Sequence, residues 1–156
     1  MSDYQLRSAT NADSPAIKEL VFAVLREYRL QPDPDGIDAD LNDIETNYLG
    51  SGGCFDVLVD SRGNIVGSVG LYPIEQATCE LRKMYLSRQI RGQGLGRRLM
   101  EHALARAKEI GFRRIVLETA SVLKKTIALY RRYGFRPYQA PHLSQRCDGA
   151  YVLELF

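Results

Sequence analysis

Chemistry that relies on clusters of cysteine or histidine has little to work with in this chain. The three cysteines, Cys54, Cys79 and Cys147, lie far apart and are odd in number. They match no zinc-ligand spacing and give no disulfide framework, so free thiols in a reducing compartment are expected. Two histidines, His102 and His142, are too few for a histidine-rich metal site. No metal is expected. The opening MSDYQLRSAT lacks a basic-then-apolar segment, which predicts no signal peptide. The apolar run LVFAVL (Leu20 to Leu25) is far too short to cross a bilayer. A cytoplasmic location follows as the expectation, with no membrane partner. Internal repeats, low-complexity segments and linkers are also missing.

What is present fits one domain over residues 1–156, long enough to bury a substantial core. Hydrophobic residues make up 45% and charged residues 26%, the balance of an ordinary globular protein. A net charge of +2 hides an asymmetry: residues 1–78 carry 5 Lys+Arg against 13 Asp+Glu, and residues 79–156 carry 16 against 6. Opposite halves imply either two facing surfaces with different ligands or attraction between the halves with solvated helix faces.

YQLRSA (Tyr4 to Ala9) reads as an opening strand. Asp13, Ser14 and Pro15 then form a helix start, a side-chain cap followed by a proline whose missing N–H costs nothing there. Ile17, Leu20, Val21, Val24, Leu25 and Tyr28 give that helix one buried stripe. After QPDPDG, the spacing of Ile37, Leu41, Ile44 and Tyr48 predicts a second, acidic-faced helix ended by Gly50. Cys54–Asp60 and Asn64–Tyr72 read as a hairpin, and Thr78–Ser87 as a further strand. Leu95, Leu99, Ala103, Ala107 and Ile110 mark a long helix stopped by Gly111. Arg113–Thr119 is the next strand, Lys124–Tyr133 a helix closed by Gly134, and FRPYQ and Gly149–Phe156 are closing strands. The order β-α-α-β-β-β-α-β-α-β-β is a mixed α/β domain around one central sheet.

RGQGLGRR (91–98) joins a strand to a helix with glycine at every second position and arginine at both ends. Glycine permits left-handed backbone and close approach of a ligand. A helix N-terminus adds free N–H groups that converge on an anion. Two phosphate loops fail on spacing. A Walker A loop needs G-x-x-x-x-G-K followed by Ser or Thr, and no such lysine lies near Gly96. A G-x-G-x-x-G fingerprint ends on Arg97 counted from Gly92, or on Leu99 counted from Gly94. R-x-x-G-x-G, carried by Arg91, Gly94 and Gly96, remains.

In that context LRKMYLSRQIRGQGLGRRLMEHAL resembles the acetyl-CoA-binding segment of the GNAT superfamily of N-acetyltransferases. ALYRRYGFRPY (Ala128 to Tyr138) resembles the family's L-Y-x-x-x-G-F stretch, in the family's order and at its separation. The resemblance implies the GNAT acyltransferase fold, with a single, mostly antiparallel sheet flanked by helices. It implies acetyl-CoA as co-substrate. The backbone amides of Gly92, Gln93, Gly94, Leu95, Gly96 and Arg97, after Arg91, would hold the coenzyme A pyrophosphate. Met84, Tyr85 and Leu86 would pair edge-on with pantetheine through main-chain groups, and would supply the oxyanion donor. The chain departs from many relatives at Leu123, seven residues before Tyr130, where they carry an asparagine that contacts pantetheine.

Acetyl transfer from a thioester to an amine needs a deprotonated amine, a stabilised oxyanion, a proton or hydrogen bond for the leaving thiolate, and alignment. By the resemblance, Tyr130 is the general acid near the coenzyme sulfur. Glu118 stands where bacterial relatives that acetylate ribosomal-protein N-termini have a catalytic glutamate. Glu80 lies on the strand where other members place theirs, and a water chain is the third choice. Asp33, Asp35, Asp38, Asp40, Asp43 and Glu45 would wall the acceptor site and attract a small cationic amine. The alternatives are a protein or peptide amine and a non-catalytic coenzyme A sensor. The partners expected are coenzyme A and a small-molecule amine, with a homodimer left open. Nucleic acid is not expected, since the arginines gather at one glycine loop and no nucleic-acid motif is present.

Overall fold

The computed structural model describes residues 3–156. Its seven strands form one sheet in the order β1-β2-β3-β4-β5-β7-β6. These are β1 (Gln5–Ser8), β2 (Cys54–Val59), β3 (Ile65–Glu75), β4 (Thr78–Leu86), β5 (Arg114–Thr119), β6 (Arg136–Pro137) and β7 (Gly149–Glu154). All neighbours are antiparallel except β4 and β5. This is the mostly antiparallel sheet that the sequence implies.

Helices cover both faces. α1 (Ser14–Glu27) buries Ile17, Leu20, Val21, Val24 and Leu25, the predicted stripe. Asp13 accepts the Thr10 N–H at 2.9 Å, closing a short 3-10 turn that leads into α1, and its carboxylate pairs with Arg7. α2 (Leu95–Ile110) buries Leu95, Leu99, Met100, Ala103 and Ala107, and Gly111 ends it by donating to the Ala107 and Lys108 carbonyls. α3 (Lys124–Arg132) follows β5.

β2 shows how the layers are written into sequence. All six of its residues are buried, because both faces of this strand are covered. Phe55, Val57 and Val59 join the α1-side core, and Cys54 and Leu58 join the α2-side core. Asp56 also faces α2, where the His102 ring nitrogen lies 2.6 Å away and the Arg106 guanidinium 3.4 Å away.

The second helix expected over 37–48 does not form. The stretch winds instead through a 3-10 turn (Ala39–Asn42) and a π turn (Glu45–Leu49). Its apolar spacing is nevertheless used, since Leu41, Ile44 and Tyr48 are fully buried. Among the described residues, no helix is long and apolar enough to cross a membrane.

Candidate active site

The site begins where two strands part. β4 and β5 pair over only three positions, Thr78–Arg114, Cys79–Ile115 and Glu80–Val116. Beyond Glu80, β4 keeps β3 on one side and has no ladder partner on the other among the described residues. The register against β3 shifts between Ser68 and Gly70, opposite Tyr85 and Arg82. Lys83 sits in that irregularity at φ +55, a left-handed conformation that costs a non-glycine residue about 1–3 kcal/mol. Such a bulge bends its strand and re-aims its side chains. Buried Ser68 stabilises it by donating its hydroxyl to the Lys83 carbonyl at 2.6 Å.

The Lys83 ammonium is buried among acids. It lies 3.2 Å from Asp38 and 3.3 Å from Asp40. Arg146, in the segment between β6 and β7, places its fork on both oxygens of Asp38, each at 2.8 Å. The Tyr48 hydroxyl donates to Asp40. Two acids thus meet two bases around buried Asp38 and Lys83: removing Asp38 would take away the carboxylate that Arg146 pairs with, and removing Lys83 would leave Asp40 without a cation.

A cavity of about 540 Å³ fills the gap between the strands. Met84, Tyr85 and Leu86 line it from β4, Arg91, Gly92, Gly94, Leu95, Gly96 and Arg97 from the loop and α2, and Glu80, Glu118 and Tyr130 from the sheet and α3. The structure therefore gathers nearly every candidate residue in one place. Gln93 does not line the cavity, and its side chain donates to the Ile90 carbonyl at 3.1 Å. Gly92 and Gly94 have φ of +84 and +80, and a Cβ at either would meet nothing within 4 Å. The loop is an open cradle at the head of α2, as an anion requires. Arg91 builds it: its guanidinium pairs with Glu27 at the end of α1 and donates to the Leu86 carbonyl.

Tyr130 is 5% exposed. Burial pushes its phenol well above the ordinary tyrosine range, with smaller contributions from Tyr85 and Cys147. Burial likewise pushes Tyr85 up to about 12. The two glutamates differ in their partners. Glu80 is closely ion-paired with Arg82, whose guanidinium also stacks over the Tyr72 ring. Glu118 accepts the Ser144 N–H at 2.8 Å and has no cation paired with it among the described residues. Leu123 precedes α3 and lines the cavity without a side-chain capping bond.

The acidic wall expected from 33–45 is largely committed elsewhere. Asp38 and Asp40 are neutralised, Asp33 accepts the Ile37 N–H, and Asp43 and Glu45 hold Asn11. Lys83, Arg146 and Ser144 had no signature in the sequence: Arg146 reaches Asp38 across 108 positions. Among the described residues, no group of three or more His, Cys, Asp or Glu side chains could hold a metal ion.

Residues 17–135 match the family model described as "Acetyltransferase (GNAT) family". A protein of Escherichia coli K12 named "Uncharacterized N-acetyltransferase YjgM" is 39% identical over 135 residues, covering 83% of this chain and 80% of that protein. The crystal structure of an acetyltransferase of GNAT family from Staphylococcus aureus Mu50 has a TM-score of 0.92 at 24% identity, covering 98% of this chain and 99% of that one. A GNAT superfamily phosphinothricin acetyltransferase from Sinorhizobium meliloti, solved in complex with AcCoA, has a TM-score of 0.73 at 23% identity, covering 97% and 86%. Several vertebrate relatives are longer, and the chain spans about 45% of their length.

The Asp38 hub makes a pH prediction. Burial pushes its carboxyl up, but the Arg146 fork, the Asp33 N–H and the Lys83 charge outweigh burial and hold it below the ordinary carboxylate range. A depressed folded pKa gives stability that is complete above the unfolded value of ~3.9 and is lost as pH falls through the lower folded value. Urea unfolding from about pH 5 to about pH 2 should show a steeper loss in the wild type than in Asp38→Asn. Equal slopes would remove Asp38 from the acid response.

Proposed function

The chain belongs to the GNAT family of acetyltransferases, and from that premise we propose that it transfers the acetyl group of acetyl-CoA to the primary amine of a small molecule. The observation that carries this reading is the parting of β4 from β5, with the glycine cradle, the open β4 edge, Tyr130 and Glu118 all on one cavity. The cradle at Gly92 and Gly94 fits a pyrophosphate, having positive φ and free space where a Cβ would stand. Acetyl-CoA, when bound, supplies an acetyl group activated as a thioester.

The chain's own residues do the rest. Backbone amides from Gly92 to Arg97 hold phosphate oxygens at the positive end of α2. The unpaired edge of β4 from Met84 to Leu86 orients an amide-bearing arm and offers N–H groups to a developing oxyanion. Tyr130 keeps its proton, because burial raises its phenol far above a thiol near ~8.5. It therefore serves as a hydrogen-bond donor to a leaving sulfur more than as a full proton donor.

Glu118 is the better base of the two carboxylates. Its charge is free of a paired cation, whereas Glu80 is committed to Arg82. An alkylammonium with pKa near ~10.4 must lose a proton before it attacks, and Glu118 both attracts the cation and accepts that proton. This carboxylate, rather than the acidic stretch 33–45, is what favours a cationic acceptor.

Tyr130→Phe should keep acetyl-CoA affinity by calorimetry and lower kcat by about 10²-fold or more. Unchanged turnover, with chemistry rate-limiting, removes Tyr130 from the mechanism. Glu118→Gln should depress kcat near neutrality and recover as pH approaches the amine's own pKa, since free amine then forms without help. Glu80→Gln should lack that recovery. A pH–rate comparison with the roles reversed would make Glu80 the base.

A further inference from the structure

Charge bridges the split between β4 and β5 on the face of the sheet that α1 covers. On β4, Lys83 meets Asp38 at 3.2 Å. At the far end of β5, Glu118 accepts the Ser144 N–H at 2.8 Å. Ser144 and Arg146 lie on the segment 138–148 that joins β6 to β7. Arg146 closes the circuit with two bonds of 2.8 Å to Asp38 and a third of 3.1 Å to the Gln31 carbonyl. Lys83, Arg146, Ser144 and Glu118 therefore line the α1 side of the cavity, and Asp38, which does not line it, joins Lys83 to Arg146. The glycine loop, by contrast, leads into α2 on the other face.

This circuit is rigid at its weakest-looking link. Arg146 and Asp38 side chains are 10% and 0% exposed, and a two-bonded guanidinium–carboxylate fork is both strong and fixed in geometry. Asp148 pins the end of the same segment by accepting the Ser121 N–H and hydroxyl at 2.8 and 2.7 Å. An extended polypeptide laid across this face would have to displace the segment and pull the Arg146 fork off the buried Asp38 carboxylate, leaving it to Lys83 alone among cations.

Resting on the acetyltransferase reading above, we infer that the Arg146–Asp38 pair determines acceptor size: it holds segment 138–148 over the split, admits small free amines and shuts out polypeptide amines. Arg146 acts here by positioning the segment that bounds the site. Glu118, fixed by Ser144 of that segment, is aligned by the same closure.

The test varies length at constant nucleophile, with glycinamide, glycylglycine and pentaglycine as acceptors. Wild-type kcat/KM should fall at least about tenfold from glycinamide to pentaglycine, and Arg146→Gln should largely erase the fall. Arg146→Lys, which keeps the charge but not the fork, should relax it partly and guards against a variant that fails to fold.

Cys147 gives a readout independent of acetylation, because it lines the same cavity while Cys54 and Cys79 are buried. With acetyl-CoA saturating, methyl methanethiosulfonate should label wild-type Cys147 far faster than a methanethiosulfonate carrying a long polyethylene glycol chain. Asp38→Asn and Arg146→Lys should both narrow that difference. Equal use of pentaglycine and glycinamide by the wild type, or a wild-type length preference kept by both Arg146 variants, overturns the inference. Failure to acetylate any of the three amines counts against the amine-transfer reading. The labelling alone then decides the clasp, and equal labelling by both reagents overturns it.

Discussion

Everything at this site depends on two parallel strands that stay together for three residue pairs and then separate. A ladder continued past Glu80 would fill the cavity with hydrogen bonds and leave no open edge. The separation persists because the bulge at Lys83 is held from both sides, by the Ser68 hydroxyl on its carbonyl and by Asp38 and Asp40 on its ammonium. A strained backbone is thus stabilised by side-chain bonds made in a buried setting, where an unpaired group is costly. The loop RGQGLG can work as a cradle only because β4 delivers it to the mouth of this gap.

The charge asymmetry of the sequence finds a physical meaning in the same place. Acids from the first half and bases from the second pair with each other, Asp38 with Arg146 and Lys83 in the interior, and Glu27 with Arg91 at the surface. Of the two readings left open by composition, attraction between halves accounts for these pairs. The pairs are also structural joints. Arg91 fastens the end of α1 to the end of β4, and Arg146 fastens the segment between β6 and β7 to the one between α1 and β2. Glu118, left without a cation, stands out against this neutralised background.

Local pattern was enough for much of this. The glycine spacing, the helical stripe of α2, the hairpin of β2 and β3 and the L-Y-x-x-x-G-F stretch are each set by neighbours in sequence, and the structure forms α2 and the hairpin where local pattern places them. The stretch 37–48 departs from the helix its spacing predicts because periodic burial does not require an α-helix. There Asp33, Asp38 and Asp43 accept backbone N–H groups, offering the chain an alternative to helical bonding. The Lys83 bulge and the Arg146 clasp could not be read locally at all, since the Lys83 ammonium also donates to the Ile37 carbonyl 46 residues away and Arg146 reaches Asp38 across 108. Identical residue types elsewhere in the chain make ordinary surface pairs.

In the reading proposed above, acetyl-CoA binds in the gap between β4 and β5 with its phosphates on the glycine cradle. The most direct measurement is the melting temperature as a function of acetyl-CoA concentration, for the wild type and for Gly94→Val. A β-branched residue is strained at φ +80 and projects into the open cradle. A ligand that binds only the native state raises the melting temperature progressively with concentration. That rise should appear in the wild type and be lost in a Gly94→Val protein that is still folded without ligand. A wild type indifferent to ~millimolar acetyl-CoA, or a variant that responds equally, would contradict that reading.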